Sequence, residues 1–178
     1  MIIIFKSIKV LLLITFFTLA LCGCKDYYVN KSISALRKQI PDVTEIVRSN
    51  IDLFERLYDI SIDRGSDFSL YGERDVDGEI VVQLFENNEQ IYDNVLLRDA
   101  EFLTAQEATA ISEVFSLSIG KTSLKSFSLP IFRFSEIQGV TLSVQRLALG
   151  ESYRSPTVLY YEEFIDNWYV SIHRLNRG

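Results

Sequence analysis

An α+β fold is what this sequence of 178 residues predicts: N-terminal helices packed on a mostly antiparallel sheet, in the order α-α-β-β-α-β-β-β-β. Three observations carry that expectation. Apolar residues recur at helical spacing from Ile33 to Tyr58, they alternate with polar residues after Gly65, and successive alternating stretches are joined by links as short as Gln138-Gly139. A two-residue link can only turn a strand back beside itself, so the neighbours run antiparallel, and such sheets commonly leave one face to solvent or to function.

The helical part comes first. Ile33, Leu36 and Ile40 share one face of a segment from Ser32 to Ile40, which Pro41 interrupts or kinks by removing an amide donor. A second helix is expected to begin at Asp42, three residues before Glu45 in a capping-box-like arrangement. Val43, Ile46, Val47, Leu53, Phe54, Leu57 and Tyr58 form its apolar stripe, with Asn50 as the polar exception and Gly65 as the stop. A partner helix could use such a stripe, but burial against the domain's own core is the plainer reading.

The alternating part follows. Phe68 to Gly72 reads as a short strand, Asp75 to Gly78 as a turn, and Glu79 to Phe85 as a strand. Glu86-Asn87-Asn88-Glu89 is a hairpin turn whose asparagines tolerate positive φ, leading into a strand from Gln90 to about Arg98. Thr104-Ala105-Gln106-Glu107 starts a helix through Ala108, Ile111, Val114 and Phe115, closed by Gly120. Strands are then expected from Leu129 to Glu136, Val140 to Leu147, Thr157 to Tyr161 and Trp168 to Arg174, the last two linked by Glu162 to Asn167. In the final strand Trp168, Val170 and Ile172 point one way, and Tyr169, Ser171 and His173 the other. The element order resembles the cone-shaped α+β fold of the ketosteroid isomerases and nuclear transport factor two, in which a curved sheet wraps helices around a pocket. That resemblance carries no site residues, and a plain helices-on-sheet sandwich is its alternative.

Ahead of the domain stands a leader. Lys6 and Lys9 precede an uncharged apolar run of 12 residues, Val10 to Leu21, which is signal-peptide length and short of the ~20 residues of a spanning helix. Ile2 to Phe5 could extend it into a retained span, but Lys6 and Lys9 interrupt that extension. Leu21-Cys22-Gly23-Cys24 resembles the bacterial lipobox, and only Cys24 fits it, because Cys22 would need a small residue where Leu21 stands. The resemblance implies cleavage between Gly23 and Cys24, a diacylglyceryl group on the Cys24 thiol, and a cell-membrane or outer-membrane protein held by lipid with its domain on the non-cytoplasmic side or in the periplasm. Lys25 after the cysteine resembles the pattern exported to an outer membrane, with Asp26 one place later against it. Residues 1–23 are then signal peptide, 24–31 lipidated cysteine and short tether, and 32–178 a single domain. Tyr27 and Tyr28 in the tether either meet the lipid interface or pack on the domain, and packing is the expectation.

Composition narrows the partners. Of 18 basic residues, Lys6 and Lys9 leave with the leader, so 16 face 24 acidic ones and the mature charge is −8. Nucleic acid is not an expected partner, since phosphate binding needs clustered Lys and Arg. An electrostatic grip on anionic head groups is disfavoured too, leaving the Cys24 lipid as the membrane contact. With Cys24 acylated and Cys22 discarded, no thiol is left for a disulfide, and stability must come from the core.

The candidate chemistry is sparse. Asp75-Val76-Asp77-Gly78-Glu79 places its glycine fourth where a calcium-binding EF-hand loop needs it sixth, so a turn is expected. Glu162, Glu163 and Asp166 crowd one link, whereas glycosidase chemistry needs a pair held across a cleft. His173, the single histidine, rules out a multi-histidine metal site and would have to serve any Ser-His-Asp triad, although no Gly-x-Ser-x-Gly presents a nucleophile. No phosphate loop, dinucleotide fingerprint or cysteine cluster occurs, so neither catalytic residues nor a cofactor or metal are expected. Two function classes follow: a non-catalytic envelope lipoprotein binding a protein, peptide or glycan, or a cone-like domain with an enclosed small-molecule pocket, carrier or enzyme.

Overall fold

The computed structural model describes residues 27–65, 67–147 and 157–175. The chain is helical at residues 27–37 (α1), and two helices follow, α2 (Ile40–Ser49) and α3 (Ile51–Asp63). The first helix thus takes up most of the stretch expected as tether. Val29, Ile33 and Leu36 occupy its inward stripe, which leaves Tyr27 and Tyr28 off the core, 64% and 51% exposed. The two rings meet edge to face at 5.8 Å, so the expectation that they pack on the domain is overturned.

Two boundaries differ from expectation for physical reasons. Pro41 opens a helix instead of ending one, because the first turn of α2 has no use for the missing amide. Asp42 is therefore inside the helix and caps nothing; its carboxylate accepts a hydrogen bond from Thr122 Oγ1 at 3.3 Å. The long helix also divides at Asn50, where the backbone leaves helical geometry at φ −132 and ψ 31 and the side-chain Nδ2 donates to the Ile46 carbonyl at 2.8 Å. The polar exception in the stripe is the breakpoint.

The strands are β1 (Phe68–Arg74), β2 (Ile80–Glu86) and β3 (Glu89–Leu96), then β4 (Ser118–Ile119), β5 (Thr122–Ser123), β6 (Ser126–Ser128), β7 (Ile131–Ile137), β8 (Val140–Arg146), β9 (Val158–Ile165) and β10 (Trp168–Arg174). Between β3 and β4 lie a 3-10 turn (Leu97–Asp99) and α4 (Ala105–Ser116). Eight strands form one antiparallel sheet in the order β3-β2-β1-β6-β7-β8-β10-β9, with β4 and β5 a separate hairpin. The hairpin turns have the chemistry expected of them: Asn87 and Asn88 at φ 53 and 63, Gln138 and Gly139 at φ 52 and 75. At the head of α4 the Thr104 hydroxyl accepts from the Glu107 amide, and the Glu107 carboxylate accepts from the Thr104 amide, a complete capping box. Leu117, not Gly120, ends this helix; Gly120 turns the β4–β5 hairpin at φ 58.

The helices cover one face of the sheet. Between the layers, Phe54 of α3 packs edge to face on Phe132 at 5.0 Å and on Trp168 at 6.0 Å, and Phe127 meets Phe115 and Phe132. Trp168, Val170 and Ile172 all face this core with 1% exposure or less, as the alternation of the last strand requires. The indole Nε1 donates to Glu55 at 2.8 Å, and the same carboxylate holds Arg146, whose guanidinium lies over Tyr58. Packing is close enough that a Cβ on Gly72 would stand 2.6 Å from two carbons of the fully buried Phe127 ring, so glycine is what lets β6 lie beside β1. Arg64 closes the helical layer: it pairs with Glu107 at 2.7 Å and donates to the Phe102 carbonyl, tying the end of α3 to the start of α4. Burial alone would raise the Glu107 pKa, but the Thr104 amide and the Arg64 guanidinium outweigh it and hold the carboxyl below its usual range.

Candidate binding face of the sheet

The other face of the sheet is built from the alternate residues of the same strands, and it is polar. Strand register lines up Glu73, Ser126, Arg133, Ser143, Ser171 and Tyr161 in one row across β1, β6, β7, β8, β10 and β9. Period two explains the choice: Phe132 and Phe134 point into the core, so Arg133 between them must point out. The hydroxyls of this row are short, and Ser143 and Ser171 are 1% and 0% exposed.

An open cavity of about 580 Å³ lies at one end of the row, with Tyr71, Glu73, Lys125, Ser126, Arg133 and Glu136 in its lining. The Tyr71 hydroxyl donates to Glu73 Oε2 at 2.5 Å. Burial first, and then this bond and the charge of Glu73, push the phenol up to about 12, so Tyr71 stays a protonated donor and is no general base. Arg133 has the opposite character: its Nε is buried without a hydrogen-bond partner, and none of the ion pairs among the described residues includes it. On the neighbouring row the hydroxyl of Thr141, a residue 1% exposed, is also buried without a partner.

His173 stands beside Arg133 on this face. Its Nδ1 lies 3.3 Å from Ser143 Oγ, which lies 3.4 Å from Ser171 Oγ. Burial, and after it the Arg133 charge, lower the imidazole pKa, so the ring is neutral at pH 7. A serine and the single histidine are thus brought together, yet this is not a nucleophile and its base. Ser143 lies flat on a strand at 1% exposure, with no turn to present it to a substrate. The contact is a cross-strand hydrogen-bond chain.

The remaining sequence candidates fall into structural roles. Asp75 Oδ1 accepts from the amides of Asp77 and Glu79, closing the β1–β2 turn, and among the described residues no cluster of acids, histidines or cysteines is placed to hold a metal. Glu162 and Glu163 do not share a turn with Asp166, as the sequence suggested. They are exposed neighbours on β9, which runs on to Ile165, and so point to opposite faces; Glu162 accepts from Tyr160, and Glu163 from the Asn167 amide at 2.8 Å. Gly23 and Cys24 lie outside the described residues. Sequence reasoning passed over Arg133, although its one signal was present: a charge at the alternate position of the aromatic pair Phe132 and Phe134.

A larger open groove of about 700 Å³ runs between α3 and α4, past Asp59, Asp63, Gln106 and Thr109. Of its charged groups, Arg56 pairs with Glu113 at 3.3 Å at the rim and Glu107 with Arg64. No described helix is long and apolar enough to cross a membrane. No protein-family model, curated protein or solved structure matches the chain.

Proposed function

We propose that this protein is an envelope lipoprotein, anchored through Cys24, whose domain binds a protein, peptide or glycan partner on the polar face of its sheet and does no catalysis. The observation that carries the reading is the contrast within the sheet: the helix side is filled by rings, and the opposite side holds buried polar groups around a cleft. A cone-like domain with an enclosed small-molecule site would need room between sheet and helices, where Phe54, Phe127, Phe132, Phe134 and Trp168 stand. Anchoring is supported by the lipobox residues Leu21-Cys22-Gly23-Cys24. A diacylglyceryl thioether supplies the two chains that stable anchoring requires, at ~0.8 kcal/mol per buried CH₂.

Two measurements test the reading. Cells fed a labelled fatty acid should mark the wild type and leave Cys24→Ala unmarked; equal labelling would remove the anchor. A photo-crosslinking residue in place of Ser128, on the polar face, should trap a discrete partner in cells, and the same residue in place of Ile62, exposed on α3, should not. The same products from both positions would remove the binding face.

A further inference from the structure

We infer that Arg133 is the anchor of a subsite for a carboxylate on a peptide, completed by the ligand and not by the protein. The inference rests on the polar face being a binding face, and it names what that face takes. Three observations lead to it.

A guanidinium drawn into a sheet face loses hydration, and proteins normally return that loss through a counter-ion and a full set of acceptors. Arg133 has neither: Nε is buried without an acceptor, and no ion pair among the described residues includes it. Its charge is nonetheless felt locally, since it lowers the pKa of His173 and acts against the rise at Tyr71. The neighbours also leave it approachable. Ser126 and Ser143 flank it in register on β6 and β8, so the side chains beside the planar fork are the shortest polar ones, and the space above opens into the cleft.

The cleft's other charges decide which anion fits. Arg74 is committed elsewhere, donating to the carbonyls of Gly78 and Phe115. With Lys125 and Arg133 it faces Glu73 and Glu136, so the lining carries three positive charges against two negative ones. A phosphate dianion would exceed that single net positive charge. A carboxylate matches it and takes the fork in bidentate fashion, and the amide N–H groups that accompany it in a peptide suit the acceptor Glu73.

The test uses the full chain in detergent, with trialanine, trialanine amide and inorganic phosphate as probes, and follows the Nε–Hε resonance of Arg133 by NMR. The free acid should shift that resonance and bind about tenfold or more tighter than the amide, which lacks the charge-assisted fork. Arg133→Gln should abolish the preference for acid over amide. Should that variant unfold, Arg133→Lys keeps the charge without the fork and should fold while losing most of the preference. Equal affinity for acid and amide, phosphate binding above the acid, no response to the acid at millimolar concentration, or a preference that survives both substitutions would each overturn the subsite. Crosslinking from position 128 and labelling at Cys24 do not depend on that outcome, so loss of the subsite would leave the broader reading standing.

Discussion

The two faces of the one sheet are made from alternate residues of the same strands and follow opposite rules. Toward the helices, side chains are large and in contact: Phe54, Phe132 and Trp168 form mutual ring pairs, and Gly72 gives up its side chain so that Phe127 can lie flat against β1. On the far side, polar side chains such as Ser126, Arg133, Ser143 and Ser171 line up across the strands, and two buried polar atoms, Arg133 Nε and Thr141 Oγ1, have no partner. Burial of the first kind is what folds the chain, through apolar area and ring contacts of ~0.5 to 1.5 kcal/mol each. Burial of the second kind costs ~1 to 3 kcal/mol for each unsatisfied group. Such groups subtract from stability, and that cost is what the proposed binding face would have to repay.

The comparison breaks first at Trp168, if it breaks. The side chain has no exposed surface, touches Phe54, Tyr58 and Phe132, and donates to Glu55. Trp168→Ala should cost ~3 to 5 kcal/mol in denaturant unfolding, a large share of a total of ~5 to 15 kcal/mol, and would leave the Glu55–Arg146 pair without its third member. Wild-type emission should be blue-shifted and resistant to iodide. A red-shifted, quenchable tryptophan with a near-normal alanine variant would reverse the assignment of the two faces.

How much of this contrast the sequence could reveal depends on distance along the chain. The Trp168, Val170 and Ile172 alternation, the Asn87-Asn88 turn and the Thr104–Glu107 capping box are local patterns, and each appears in the structure as read. The break at Asn50 was equally local but needed the side chain's choice of the Ile46 carbonyl, which periodicity does not encode. Strands β4 to β6 were missed because they are only two or three residues long, too short for an alternating pattern to register. The candidate site was hidden for a different reason: β1 pairs with β6 across about fifty residues, and only that non-local register sets Glu73 beside Ser126 and Arg133. A row across a sheet has no signature in a single strand.

A smaller effect of opposite sign should appear at Thr141. Its hydroxyl is buried and unpartnered in a residue 1% exposed, so Thr141→Val removes a desolvated polar group at nearly constant volume and keeps a β-branched side chain. The variant is expected to gain about 1 kcal/mol in stability, measured by the shift of the denaturant midpoint at unchanged slope. A loss of that size would mean that the hydroxyl is satisfied in solution, and the two faces would then differ less than their packing suggests.

The smallest effect, and the one that reports on the polar face most directly, is the pH dependence of stability carried by His173. Its folded pKa lies below the ordinary 6.5, burial being the larger cause and the Arg133 charge the lesser. Below 6.5 the unfolded chain takes up a proton that the folded chain refuses, so stability falls as pH drops through the window from 6.5 to the lower folded value and rises with pH across it. His173→Gln should flatten this part of the profile, measured as denaturation midpoints between about pH 5 and pH 7, above the range of ordinary carboxylates. Arg133→Gln should flatten it less, because it removes the field of the guanidinium and leaves the burial. Equal flattening by both would make Arg133 the dominant neighbour, and a wild-type profile already flat across the window would mean that water reaches the ring and that this face is more open than its buried hydroxyls imply.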